Sequence, residues 1–233
     1  RTANLVAMRR GAVVVSAALV AVTAAGCGSG GTAKPQTLLA QAKQKIDSTQ
    51  ALHFVITSTN VAGNGTDVTG GVGDIARPAS IKGTFQISLS GFHVSVKIIA
   101  ANGKFYAEAP FQTSYQLTDP DKYGIGNPAS LIDRTQGLSS LLANIENPTS
   151  EGQTRISGEL LDKVTGAVPG TKIPSALPDS VPSKPVQVSA LINAKTHEVR
   201  QFILTGPLTS PTNSTFTVTL TQYGEPVHID LPQ

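Results

Sequence analysis

The sequence predicts an α+β fold in which one large antiparallel sheet carries a few helices on one side. Apolar and polar residues alternate through many short segments, which is the pattern of half-buried strands. Turn-forming residues separate consecutive segments, so the strands are expected to follow one another as a meander. Only two segments have the apolar period of a helix, too few for a fold that alternates strands with helices.

The first predicted elements are a helix and a strand. The segment Gln36–Thr49 is predicted to be a helix, with Thr37 as its N-cap. Its apolar residues recur at helical spacing: Leu38, Leu39, Ala42 and Ile46. From Leu52 to Ser58 the apolar period is two, which indicates a strand.

Two hairpins are predicted next. The segments Ile81–Ser90 and Phe92–Ala101 alternate cleanly and are joined by the turn residues Ser90-Gly91. Asn102-Gly103 then forms a tight turn, because both residues tolerate positive φ, and Lys104–Ala109 is the returning strand. Interior glycines fit bends or bulges in a strongly curved sheet: Gly70, Gly71, Gly73 and Gly83.

The second half repeats this pattern around one more helix. Pro120–Pro128 is predicted to be a loop, and Gln136–Glu146 a helix with an apolar face that Asn147-Pro148 terminates. A strand over Leu160–Val168 and a proline-rich loop over Thr171–Pro185 follow. Four more strands are predicted: Val186–Asn193, Glu198–Gly206, Ser214–Gln222 and Val227–Leu231.

Composition excludes several classes of protein. The 233 residues are 39% hydrophobic and 14% charged, which is typical of a folded protein. The single Cys excludes an intrachain disulfide, a multi-cysteine zinc site and a CxxC redox pair. The net charge of +3 comes from Arg1, Arg9 and Arg10, and no basic run follows, so nucleic-acid binding is not expected.

The N-terminal residues 1–26 are predicted to be a signal peptide. Met8-Arg9-Arg10 is a positively charged start, and Gly11–Thr23 is an apolar run shorter than the ~20 residues that a membrane span needs. Met8 is the expected start of translation, which leaves residues 1–7 upstream of it.

The only cysteine directly follows the small residues that end this segment. Ala24-Ala25-Gly26-Cys27 resembles the bacterial lipobox, with Ala24 where Leu is usual. The resemblance implies that Cys27 becomes the N-terminus and carries fatty acyl chains such as palmitate, which anchor the protein on the periplasmic face of the cell membrane. Residues 27–35 then form the acylated end and a flexible tether. The alternative is an ordinary signal peptide with an incidental cysteine.

Catalytic motifs are not found in the sequence. It has no G-x-S-x-G, H-E-x-x-H, P-loop or G-x-G-x-x-G pattern. Its four histidines are scattered, and His53 is interpreted as a structural hydrogen-bonding residue. Asp119 and Asp121 lack the further ligands of a calcium loop. We therefore expect no enzyme activity, no cofactor and no metal.

Five segments, in this order, resemble the mycobacterial LppX/LprA/LprF/LprG lipoprotein family. They are Ala51–Val55, the turn before Phe105-Tyr106, the stretch from Asn127 to Asn144, the stretch from Asn147 to Gly166, and Leu220–Val227. The family usually has Trp directly before the glycine of the last segment, where this chain has Tyr223. It also usually has Trp in the strand that matches Val186–Asn193, whereas this chain contains no Trp. These differences bear on the identity of the ligand more than on the fold.

This resemblance implies a half β-barrel, LolA/LolB-like, with helices packed around an apolar cavity in a single domain over residues 36–233. It implies a monomer that binds multi-acylated lipids, such as triacylglycerol, phosphatidylinositol mannoside or a similar glycolipid. It further implies that these lipids are carried across the periplasm toward the outer envelope. Some members of the family act beside a major-facilitator efflux transporter, which is the partner expected here.

The alternating strand faces supply the candidate cavity residues. They are Phe85, Ile87, Leu89, Val94, Val96, Ile98, Phe105, Leu138, Leu142, Phe202, Leu204, Phe216 and Val218. Periodicity alone favours an ordinary packed core over a cavity, and the resemblance shifts the interpretation toward a cavity. Two alternatives stay open: an adaptor lipoprotein whose interior is filled by its own side chains, and an enzyme acting on lipids or cell wall.

Overall fold

Eleven strands and two α-helices are present among the residues that the structure describes. The computed structural model describes residues 34–61, 66–89, 91–123, 126–175, 177, 184–209 and 212–232. The helices are α1 (Pro35–Ser48) and α2 (Leu138–Asn144). The strands are β1 (Ala51–Thr59), β2 (Thr66–Ala76), β3 (Ser80–Leu89), β4 (Phe92–Ala101), β5 (Lys104–Glu108), β6 (Gln116–Leu117), β7 (Glu146–Ile156), β8 (Glu159–Pro169), β9 (Pro185–Asn193), β10 (Val199–Thr209) and β11 (Thr212–Thr221).

All eleven strands belong to one antiparallel sheet. Its order is β6-β5-β4-β3-β2-β1-β11-β10-β9-β8-β7, so β1 to β6 form one meander and β7 to β11 form another. The two meanders meet where β1 pairs with β11, for example at Ile56 and Val218. The sheet does not close, because β6 and β7 are its two edges. The prediction of a large antiparallel sheet with a few helices is confirmed.

The helices are packed against each other, and the C-terminal end of α1 is fastened to the sheet. Lys43 and Asp47 of α1 reach residues just before and within α2, since the Ser139 hydroxyl donates to the Asp47 carboxylate at 2.6 Å and Lys43 Nζ donates to the Arg134 carbonyl. The Arg77 guanidinium, in the β2–β3 turn, donates to the carbonyls of Thr49 and Ile46. These bonds hold the C-terminal end of α1 at the β2–β3 turn.

The helix termini differ from the sequence predictions. Thr37 is not the N-cap of α1, because the helix begins at Pro35, with Lys34 before it and no side-chain cap. A proline in the first turn takes this position readily since its missing N–H has no helical partner there. The second helix is shorter than predicted and ends at Asn144, so Asn147-Pro148 does not terminate it but lies within β7.

Three strands were not predicted, β2, the two-residue β6 and β7, and one predicted strand is wrong. Strand β2 has glycines at positions where a buried strand usually has apolar side chains, and β7 is exposed along most of its length. Neither strand therefore shows a clear alternation of apolar and polar residues. Conversely, the predicted strand Val227–Leu231 is irregular backbone. The remaining predicted strands and the Asn102-Gly103 turn are confirmed; both turn residues have positive φ, 52° and 73°.

Candidate functional site

The strand residues predicted to line a cavity share one face of the sheet. A single row of paired residues crosses six neighbouring strands: Phe202, Val218, Ile56, Gly71, Phe85 and Val96. Side chains two residues apart along a strand point to the same face. This face therefore carries all eleven predicted strand residues: Phe85, Ile87, Leu89, Val94, Val96, Ile98, Phe105, Phe202, Leu204, Phe216 and Val218. We call it the inner face.

The two helices and one helical turn complete the interior. Leu138 and Leu142 of α2 are buried in the same apolar cluster as the inner-face residues. Leu131 and Ile132, from the short 3₁₀ helix Pro128–Ile132, belong to that cluster too. The structure thus brings together predicted residues from both meanders and from the helix between them.

Burial decreases along the β3–β4 hairpin towards its tip. Phe85 and Ile87 are fully buried, and Val94 packs against the cluster while remaining partly exposed. Leu89 is 39% exposed and is not part of the cluster, and Phe92, its partner across the hairpin, is 76% exposed. The inner face therefore continues from a buried interior to solvent at this end of the sheet.

Aromatic rings form part of the interior wall. The rings of Phe54 and Phe85 lie 5.8 Å apart and tilted by 40°, an arrangement that aromatic pairs favour. Phe105 makes a similar contact with Tyr123, at 6.1 Å, from the short 3₁₀ helix Pro120–Tyr123. This turn lies in the segment predicted to be a loop, and its tyrosine extends the apolar cluster beyond β5.

Few polar groups lie among these apolar side chains. Asp162 in β8 is buried and accepts a hydrogen bond from Gln153 Nε2 at 2.8 Å. The Ser214 hydroxyl is also buried, and within the described residues it has no hydrogen-bond partner. The same holds for the Ser130 hydroxyl and for that of Ser88, which lies on the opposite face of β3. The interior wall is therefore apolar, with few polar groups.

Two of the predicted residues also reach surface cavities. Leu142 lines a cavity of about 270 Å³ between α1, α2 and the start of β7, together with Leu39, Ile145 and Pro148. Phe105 lines an open cleft of about 470 Å³ beside the edge strand β6. Both cavities border the layer that covers the inner face.

Unlike Asp162, two charged pairs lie away from the interior. On the opposite face of the sheet His53 Nδ1 is 2.8 Å from Asp74 Oδ1. The Arg200 guanidinium donates a bidentate pair of hydrogen bonds to the Glu159 carboxylate, which lowers the pKa of that group. Within the described ranges no three His, Cys, Asp or Glu residues are grouped as metal ligands.

Tyr223 occupies a buried position beside the sheet. Its hydroxyl donates to the Val199 carbonyl at 2.8 Å, and burial raises its pKa well above the usual value. The bond ties the segment after β11 to the start of β10. This is the position at which the sequence departs from the tryptophan usual in the resembling family.

Further inner-face residues were missed by the sequence analysis. Phe54 and Ile56 of β1 lie at the centre of the interior, next to the predicted Phe85 and Val218. Strand β9 contributes a whole buried row: Val186, Val188, Ala190 and Ile192. The alternating apolar pattern of both strands was visible in the sequence and would have identified them.

Cys27, the predicted lipid anchor, lies outside the described residues, as do the predicted signal peptide and most of the tether. In the part of the chain that is described, no helix has the length and apolar character needed to span a membrane.

Comparison with known proteins identifies the family. The family model of the LppX_LprAFG lipoproteins matches residues 34–229, nearly the whole described chain. The chain belongs to the LppX_LprAFG lipoprotein family. The resemblance read from the five sequence segments is thereby confirmed.

Relatives in this family cover almost the full chain. The lipoarabinomannan carrier protein LprG of Mycobacterium tuberculosis is 26% identical over 235 residues, covering 96% of this chain and 95% of LprG. The putative phthiocerol dimycocerosate transporter LppX of the same species is 23% identical, covering 85% of this chain and 82% of LppX.

Solved structures of family members share the fold. The crystal structure of LprF from Mycobacterium bovis has a TM-score of 0.69 at 17% identity, covering 85% of this chain and 96% of LprF. That of Mycobacterium tuberculosis LppX has a TM-score of 0.60 at 14% identity, covering 84% and 98%. These members of the LppX_LprAFG family thus have the same overall architecture as this chain.

Proposed function

We propose that this protein is a lipid carrier of the mycobacterial type, anchored to the periplasmic face of the cell membrane. In this proposal residues 1–26 are removed, Cys27 is acylated, and the domain over residues 36–233 takes up a multi-acylated lipid for transfer toward the outer envelope. The names of two relatives, a lipoarabinomannan carrier and a putative transporter of phthiocerol dimycocerosate, agree with this function.

The observation that carries the proposal is the continuity of the inner face. Apolar side chains run across the sheet from Phe202 to Val96 and then outward to Leu89 and Phe92 at the end of the sheet. A packed core needs no exposed continuation, whereas a carrier needs an apolar path by which hydrocarbon passes from its source to the interior.

The energetics favour acyl chains as the ligand. Each square ångström of apolar surface removed from water contributes ~25 cal/mol, so burying several hundred Å² of acyl chain gives on the order of 10 kcal/mol before the costs of association. The inner face offers side chains of Phe, Ile, Leu and Val for this contact, with few hydrogen-bonding groups. Such a surface binds hydrocarbon of several lipid classes, including triacylglycerol and phosphatidylinositol mannosides.

Uptake requires the covering layer to separate from the sheet. Leu138 and Leu142 are buried against the inner face, so acyl chains have to replace contacts that these residues make. The polar bonds between α1 and α2, such as Ser139 to Asp47, allow both helices to move together. A major-facilitator transporter is the proposed partner for delivery of the lipid.

A second function is favoured by the depth of burial of the same residues. Phe202, Ile98 and Val96 are almost completely buried among protein side chains. The same burial is expected in an adaptor lipoprotein. Its interior would be filled by its own side chains, and its partner would be an envelope transporter.

Mass spectrometry of an organic extract separates the two functions. The full chain is produced in a mycobacterial host, purified and extracted. A stoichiometric multi-acylated lipid beyond the acyl groups on Cys27 supports the carrier. A folded protein whose extract contains no such lipid contradicts it and favours the adaptor. A Cys27→Ala variant, released without an anchor, is the matched control for lipid carried over with the membrane.

A further inference from the structure

Three large apolar side chains are exposed around one end of the β3–β5 region. Phe92 begins β4 and is 76% exposed, and Leu89 ends β3 opposite to it. Phe111 is fully exposed in the turn after β5, which runs antiparallel to β4 and therefore points to the same end of the sheet. We call Leu89, Phe92 and Phe111 the hydrophobic rim.

The rim lies at the same end of the sheet as the beginning of α1. The antiparallel topology puts the start of β4, the end of β8 and the start of β7 at one end, and Glu146 of β7 pairs with Ala167 of β8 there. Gln36 of α1 lines a cavity with Pro148, at the start of β7. The other end of α1 is held by Arg77 in the β2–β3 turn, at the opposite end of the sheet.

The length of the chain before α1 limits how far this end of the domain lies from the membrane. Six residues lie between Cys27 and Lys34, and a fully extended chain joining the two reaches at most about 25 Å. An acyl anchor at Cys27 therefore keeps the first turn of α1 close to the bilayer, and the rim lies at this end.

We propose that the hydrophobic rim inserts into the surface of the lipid bilayer that holds the anchor, so that the inner face opens directly onto the acyl chains. This proposal rests on the carrier function and its acylated Cys27. Leu89 and Phe92 lie on the inner face, in the same alternation as the buried Ile87 and Val96. A lipid moving from the bilayer past the rim would thus stay in contact with apolar side chains.

The exposed charges at this end favour insertion through apolar contact. Lys172 and Lys184 are exposed after β8 and before β9, and Lys34 is exposed before α1. Glu146 is exposed at the start of β7, and Asp67 is half-buried near the start of β2. Charges of both signs give no one-sided attraction to an anionic surface. Binding of the rim is therefore expected to depend little on salt concentration.

Tryptophan fluorescence tests the proposal because the natural chain contains no Trp. The full chain carrying Phe92→Trp is purified in detergent and reconstituted into phosphatidylcholine vesicles whose acyl chains bear bromine. The expected result is a blue-shifted emission that the brominated lipid quenches, with little change between low and high salt. Phe111→Trp provides a second reporter if the first variant does not fold.

Leu117→Trp is the matched control. Leu117 is 64% exposed and pairs with Tyr106, which in turn pairs with Ile99, seven residues or about 23 Å along β4 from Phe92. Its tryptophan is expected to remain unquenched by brominated lipid and accessible to aqueous iodide.

Two outcomes would overturn the rim proposal. In the first, iodide quenches the Phe92→Trp and Leu117→Trp fluorophores equally and brominated lipid quenches neither. The rim would then be exposed for contact with a protein partner instead of the bilayer. The other is quenching of both alike, which indicates non-specific adsorption. The lipid extract reports separately on the carrier: cargo without rim quenching contradicts the rim proposal alone, whereas quenching without cargo contradicts only the carrier.

Discussion

The Phe85 ring lies over Gly71, its partner in the neighbouring strand. A Cβ atom placed on Gly71 would stand 2.9 Å from Phe85 Cδ1, closer than real Cβ contacts allow. The ring also contacts that of Phe54, with the two ring centroids 5.8 Å apart. Glycine in β2 thus makes room for a large side chain of β3 against the inner surface of the sheet.

Substitution Gly71→Ala is expected to destabilise the protein by about 1–3 kcal/mol, because the added methyl group forces the Phe85 ring out of its position. Chemical denaturation measures this change in the free energy of unfolding. In a Phe85→Leu background the same substitution should cost much less, since the smaller side chain leaves the methyl group room. Equal costs in both backgrounds would show that the ring does not set the requirement for glycine.

A tryptophan on the inner face should lower lipid occupancy. Val96→Trp adds a large side chain beside Phe85, its cross-strand partner, and so competes with acyl chains for the same space. Occupancy, measured by mass spectrometry of the extract, is expected to fall several-fold, with the loss of stability kept to about 1–3 kcal/mol. The adjacent Ser95 points to the exposed side, so Ser95→Trp is the control. If a folded Val96→Trp variant keeps full lipid occupancy, Val96 does not line the space that the lipid occupies.

The side chain of Arg77 should be required for stable attachment of α1. Its guanidinium donates to the Thr49 carbonyl at 2.9 Å and to the Ile46 carbonyl at 3.2 Å, which satisfies acceptors at the helix end. Arg77→Ala is expected to cost about 1–3 kcal/mol because these hydrogen bonds involve a charged donor. Arg155→Ala serves as a control, since Arg155 bonds only locally to Gly158 in an exposed turn. Thermal unfolding that is unchanged in Arg77→Ala would contradict this role.

Much of the sheet could be predicted because its strands alternate in the ordinary way. β4 has the predicted bounds, and the residues that alternate in β3 and β4 lie on one face as expected. Strand β2 was missed for a tertiary reason. A Cβ on Gly73 would stand 2.3 Å from the Lys82 carbonyl oxygen, so glycine is needed where β2 and β3 approach closely, and this removes the apolar residue that signals a strand.

The sequence predicts which residues share a face of the sheet but not how deeply each of them is buried. Alternation identifies which residues share a face, and the register confirms that Phe85, Val96 and Phe202 do. The exposure of Leu89 depends on where the hairpin extends beyond its neighbours, which no local pattern records. The bounds of α2 failed because Asn147 and Pro148 are accommodated at an irregularity in the pairing of β7 with β8, where local preferences indicated a helix end.

Acid should loosen the segment that leads into α2. The Asp133 carboxylate accepts hydrogen bonds from the Thr135 hydroxyl at 2.6 Å and from the backbone N–H groups of Thr135 and Gln136, at 2.7 and 2.9 Å. The bond from the Thr135 hydroxyl is the main cause that lowers the pKa of Asp133. Its folded pKa therefore lies below its unfolded value of about 3.9.

The sign of the pH effect follows from this difference. Above the unfolded pKa of about 4 the stabilisation by Asp133 is fully present, and it is lost as the pH falls through the lower folded pKa, because the unfolded chain binds the proton more readily. Asp133 is exposed to solvent, which limits its contribution to about 0.5–1 kcal/mol.

Asp133→Asn should lower the free energy of unfolding by that amount at pH 7 and make it less dependent on pH below about 4. The control is Asp230→Asn, because Asp230 is exposed in the irregular segment after β11. A difference between wild type and Asp133→Asn that stays constant from pH 7 to pH 2 would show that the charge of this carboxylate does not hold the turn.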